Sequence, residues 1–138
     1  VPALVSLFCE MTRTMQCRLG YDAYSVAAMA LWWVCHVHPF SDGNGHVGRA
    51  LASLILANQG CLPADMDIAT FHQPFHEPEL RVQYFAAIQK VNLSANVCEC
   101  CCPVSYHARS NLPASASIQE SALLPIVEVL KKTVSRIL

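Results

Sequence analysis

Charge is what this sequence has least of. Only 14% of its 138 residues are charged against 54% hydrophobic, and the formal net charge is −1 with His neutral. That balance excludes a disordered polar tail. A near-neutral chain also has no electrostatic footprint for nucleic acid; Lys131, Lys132 and Arg136 form the only local basic cluster. Long apolar runs are missing too. The longest, Val26 to Cys35, is about half of the roughly 20 residues a membrane span needs, so it reads as a core helix. No signal peptide and no initiator Met open the chain. The expectation is therefore a piece of a longer protein without a targeting signal of its own, with a cytoplasmic setting favoured. Convincing strands and internal repeats are absent as well, which leaves an all-α fold.

Cysteine is plentiful. Cys9, Cys17, Cys35 and Cys61 sit singly in or beside helix-like patterns, where a free Cys is usually a small buried hydrophobe. Cys98, Cys100, Cys101 and Cys102 lack the two-residue gaps that let paired thiolates reach one zinc ion. They read as an unpaired cluster.

Apolar residues recurring at three and four predict an amphipathic helix over 2–16 (Val1, Leu4, Phe8, Met11, Met15). A second helix is expected over about 22–37, opened by Asp22 and apolar almost all round, as a central segment should be. Trp32 and Trp33 cannot share one face, so one belongs to the core and the other meets a neighbouring helix or a partner. His36 suits packing at the helix end. Pro39 stops the helix. A helical pattern resumes at about Val47 (Leu51, Leu54, Ile55), with Gly60 as the left-handed residue that closes it. Residues 61–76 hold Pro63 and Pro74 and no clear period, so they read as loop, with His72 and His76 as surface or loop histidines. Pro78 opens a further helix with Leu80, Tyr84, Ile88 and Val91 on its apolar face. Residues 93–117 read as a connector. A final helix over 118–138 carries a heptad-like seam (Leu123, Val127, Leu130, Val134, Ile137), with Pro125 in its first turn. The seam is short, so it suggests a docked helix more than a dimer zipper, and a homo-oligomer is possible without being indicated.

Between the two most buried patterns lies HPFSDGNGHVGR, residues 38–49. The first turn of a helix offers unpaired N–H groups and the positive end of its dipole. Gly43, Asn44 and Gly45 at that mouth would let the backbone close on an anion, best a phosphate. Asp42 and Asn44 would also help to cap the helix. A lone carboxylate such as Asp42, beside bound phosphates, is how Mg²⁺ is usually held. Arg49, one turn on, can reach a phosphate with two prongs. His38 ahead of the loop could take a proton from a hydroxyl. These types at this spacing point to phosphoryl-group chemistry on a nucleotide.

The stretch resembles the signature H-P-F-x-[D/E]-G-N-G-R-x-x-R of the Fic (Fido-fold) family. It matches at His38, Pro39, Phe40, Asp42, Gly43, Asn44, Gly45 and Arg49. The apolar helix before it and the LxxLILxxQG-like helix after it fit as well, so the resemblance covers residues 1–92. It implies a helical Fido core and AMPylation, the transfer of AMP from ATP to a Ser, Thr or Tyr hydroxyl of a target protein. His38 would be the general base, Asp42 would hold Mg²⁺, and Gly43, Asn44 and Gly45 would line the anion hole. Arg49 would grip the γ-phosphate, and Phe40 would anchor the loop in the core.

Three departures stand out. His46 replaces the signature's first arginine, which implies weaker ATP binding or slower transfer. In this family a flap that clamps target segments comes just before the first helix, and the expectation is that the chain starts after it. No convincing inhibitory [S/T]-x-x-x-E-[G/N] helix is present: Ser6 to Glu10 fits only in part, and Ser117 and Glu120 look like a helix start. Two alternatives stay open, a related phosphotransferase and a catalytically weak or inactive nucleotide-binding or interaction module. Lys is the residue phosphate-transferring members tend to carry where Gly45 stands, so Gly45 favours AMP transfer.

Overall fold

A computed structural model describes residues 2–17, 20–94 and 122–138. The described residues form six α-helices: α1 (Pro2–Cys17), α2 (Ala23–Val37), α3 (Asn44–Asn58), the short α4 (Ile68–His72), α5 (Pro78–Ser94) and α6 (Leu124–Ile137). A 3-10 turn, Gln73–His76, joins α4 to α5. No strand occurs among the described residues, as an all-α fold requires. The cysteine cluster, Ser117 and Glu120 lie outside them.

The centre is α2. Its N-cap Asp22 accepts from the Ser25 N–H at 2.8 Å, satisfying one of the free donors of the first turn. Every residue from Ser25 to Val34 is buried, and the helix touches α1, α3, α5 and α6. Both tryptophans are buried, each toward a different neighbour: Trp33 stacks on Phe8 of α1, and the Trp32 indole donates to Asn92 Oδ1 of α5 at 2.6 Å. His36 packs on Trp32 one turn back, with ring centroids 5.1 Å apart.

α3 lies closely against α2. A Cβ on Gly48 would come within 3.0 Å of Leu31 Cδ1 and 3.3 Å of the Leu31 carbonyl oxygen, so hydrogen is the only side chain this crossing takes without displacement. At its far end Gly60 is left-handed (φ 78°), its N–H donates to Ala57 O and that of Cys61 to Leu56 O, the paired bonds of a Schellman close.

Several expectations are corrected. α3 starts at Asn44, ahead of the apolar period, because Gly43 in the left-handed region (φ 78°) turns the chain into it. Neither Asp42 nor Asn44 caps it: the N-cap is Gly43, with no side-chain cap bond. Residues 61–76 are partly helical. Asp67 caps α4 through the Ala69 N–H, and Pro74 sits at the start of the 3-10 turn, where its missing N–H interrupts nothing. Cys9 and Cys17 are exposed rather than buried, while Cys35 and Cys61 are half-buried.

α6 closes the core. Leu123, Ile126, Val127, Leu130 and Val134 are buried against α5, α2 and α4, with Pro125 in the first turn. Arg136 pairs with Glu77 and Glu79 at the start of α5. Among the described residues no helix is long and apolar enough to cross a membrane.

Candidate active site

The loop 38–43 leaves the C-terminus of α2 and returns into the N-terminus of α3. His38 is the C-cap of α2, in the left-handed conformation (φ 53°, ψ 55°), with its N–H donated to Val34 O. That twist throws the imidazole outward, and the residue is exposed.

The loop is tied from within by Asn44, which is 3% exposed. Its Oδ1 accepts from the Phe40 N–H at 3.0 Å, its Nδ2 donates to the Phe40 carbonyl at 2.8 Å, and Nδ2 also lies 3.1 Å from His38 Nδ1. Phe40 therefore anchors the loop through its backbone; the residue is 42% exposed, not seated in the core. Both amide hydrogens of Asn44 are engaged inside the loop, so what it offers an anion is its backbone N–H. Asp42 is exposed and accepts from the Gly43 N–H at 2.8 Å.

Since α3 has no side-chain cap, its first-turn N–H groups are left for a ligand or water. Arg49 lies back over that turn: a Cβ on Gly45 would stand 3.1 Å from Arg49 Nη1. A guanidinium folded onto the positive end of a helix raises the local positive potential further, and an anion is the natural complement. Arg49 is held in place from below. Its Nε donates to His72 Nδ1 at 3.4 Å, and its Cζ stands 5.6 Å from the Phe75 ring centroid and 5.8 Å from that of Tyr84.

His72 is the residue sequence reasoning misplaced. It is buried, not at the surface, and its ring stacks on His46 with centroids 5.5 Å apart and planes at 22°. Burial pushes its pKa down, and the nearby Arg49, His46 and His76 push it the same way, so it sits neutral and accepts the Arg49 N–H. Tyr84 is driven the other way. Burial, then the Cys35 thiol 3.6 Å from its hydroxyl, raise its pKa, keeping it an uncharged wall. Cys35 is raised as well, chiefly by burial.

His46, Arg49, Phe75, His76, Arg81, Tyr84 and Phe85 enclose a cleft of about 130 Å³. Four of the seven are basic residue types and none is acidic. The volume is well below the ~300 Å³ of a small-molecule pocket and suits one compact anionic group. His76 and Arg81 come from segments without a recognisable motif, and only the fold brings them here. A larger groove, about 570 Å³, runs along α1 from Val5 to Cys17 and contains none of these groups. Among the described residues no three His, Cys, Asp or Glu could hold a metal together. Asp42 stands as a single exposed carboxylate, which fits Mg²⁺ held mainly by water and phosphate oxygens and not a transition-metal centre.

A model of the Fic/DOC family matches residues 3–56. The chain is 32% identical over 75 residues to the protein adenylyltransferase fic-1 of Caenorhabditis briggsae and 33% identical to that of Caenorhabditis elegans. Each alignment covers 54% of this chain and 13% of the relative, so the chain spans a small part of their length. A Fido domain-containing protein of Dictyostelium discoideum is 51% identical over 37 residues, 27% of this chain and 26% of that protein. No solved structure matches. The matched segment takes in α1, α2, the polar loop and nearly all of α3, so it is over the elements that build this site that the chain is similar to the Fic/DOC family.

Proposed function

We propose that the chain is the core of a protein adenylyltransferase that transfers AMP from ATP to a Ser, Thr or Tyr hydroxyl of a target protein. One observation carries the reading: the first turn of α3 is uncapped, with the Arg49 guanidinium folded against Gly45 and the His38 ring at the same mouth. The likeness to adenylyltransferases over part of the chain supports it.

In this reading the backbone N–H groups of Asn44, Gly45 and His46 receive phosphate oxygens, with Gly43 giving the turn that exposes them. Arg49, steadied by His72, Phe75 and Tyr84, binds a terminal phosphate, and His46 reinforces it from the stack. Asp42 would hold Mg²⁺, which when bound offsets phosphate charge. His38 takes the proton of the attacking hydroxyl as its oxygen bonds to the α-phosphorus, and pyrophosphate leaves. A weak or inactive nucleotide-binding module is the second reading, favoured by His46 in place of arginine and its ring packed on His72.

Incubation with α-labelled ATP, Mg²⁺ and lysate proteins separates the readings. Label transfer is expected, falling by at least ~100-fold in His38→Ala and rising in His46→Arg. Transfer of γ-label instead means phosphotransfer, and nucleotide binding without transfer of either label means the inert module.

A further inference from the structure

The imidazole of His38 has a partner whose own orientation is fixed. Asn44 is enclosed, and its amide is read twice by the backbone of Phe40: the oxygen accepts from the N–H and the nitrogen donates to the carbonyl. Turning the amide over would set N–H against N–H and oxygen against oxygen, so its orientation is decided. Nδ2 then has a hydrogen to give and nothing to accept with. At 3.1 Å from it, the His38 ring nitrogen must be the acceptor.

A neutral imidazole has one N–H and one lone pair. With the lone pair of Nδ1 facing Asn44, the hydrogen is on Nε2. We infer that Asn44 is a positioning residue that selects the tautomer of His38, so that the resting ring presents an N–H outward and not a lone pair. Turning the ring over about its Cβ–Cγ bond would set the Cδ2 carbon against Asn44 and lose this hydrogen bond, so the nitrogen that faces Asn44 is Nδ1.

The consequence for catalysis rests on the proposed adenylyl transfer; the tautomer does not. Outward N–H is suited to an anionic oxygen, not to an incoming hydroxyl. His38 accepts a proton only after its bond to Asn44 opens and Nδ1 swings free, which its exposure permits. The hydroxyl O–H bond then breaks, the proton adds to Nδ1, and the ring becomes imidazolium as the oxygen bonds to phosphorus. An imidazolium cannot accept from Asn44, so protonation keeps the ring away until the proton departs.

Nitrogen-15 spectra of the histidine-labelled wild-type protein, without nucleotide at about pH 9 where histidines are neutral, test this directly. The His38 signals are identified by their loss in His38→Asn. A hydrogen on Nε2 and none on Nδ1 is expected; hydrogen on Nδ1, or an averaged pair, overturns the inference. Asn44→Asp puts an oxygen where Nδ2 was and is expected to move the hydrogen to Nδ1. A folded Asn44→Asp variant that keeps Nε2–H also overturns it. Should that variant not fold, Asn44→Ala is read in its place: both tautomers are expected, and an unchanged Nε2–H overturns the role of Asn44. Failure of AMP transfer would strike the proposed reaction and leave these spectra untouched.

Discussion

Within the site, His72 acts by staying uncharged. It accepts from Arg49 on one ring nitrogen, while its Nε2 is buried without a partner. Its folded pKa lies below the ordinary 6.5, so the unfolded chain binds the proton more readily. Its contribution to stability is therefore complete above pH 6.5 and is lost as pH falls through the lowered folded value. Melting temperatures measured from about pH 7.5 down to pH 5 should decline, and His72→Asn, which can still accept from Arg49, should flatten that decline. A slope unchanged in His72→Asn would assign the effect elsewhere. This residue was hard to read because its partner is 23 positions away and Pro74 argued against a helix. By contrast, His38, Asp42, Asn44 and Arg49 were legible because one short motif contains them all.

Among elements, the α2–α3 crossing sets where the loop stands, and Gly48 sets the crossing. Alanine there would gain up to ~1 kcal/mol of helix propensity. It would also press on Leu31, whose methyl can rotate away while its carbonyl oxygen, 3.3 Å from the added carbon, cannot. Crowding should win: Gly48→Ala is expected to lower stability by ~1–2 kcal/mol, read from chemical denaturation. A gain would show that the two helices have slack. The elements themselves were largely legible. α1, α5 and α6 follow apolar periodicity and α2 is apolar almost all round, while proline placed the end of α2 and the start of α5. The start of α3 escaped because a left-handed glycine does the work a capping side chain usually advertises. α4 escaped because five residues are too few to show a period.

For the molecule as a whole, the family match ends at residue 56, yet the cleft beside Arg49 is finished by Phe75, His76, Arg81, Tyr84 and Phe85. These ride on a segment braced by α6, where Leu130 is fully buried. Leu130→Ala should cost about 2–5 kcal/mol, with one unfolding transition reported alike by a core tryptophan and by helix content. Two separate transitions would mean that α6 folds apart from α2. The overall helical class was legible from composition and period, whereas the convergence of 72–85 on the loop depends on tertiary packing that no local pattern encodes.

The backbone twist at residue 38 bears on which side chain the position takes. A histidine held at φ 53° sits about 1–2 kcal/mol above what glycine would need in the same place. Glycine would hold the same turn with less strain. In the proposed transfer, the proton that His38 takes is what an imidazole supplies there and glycine could not.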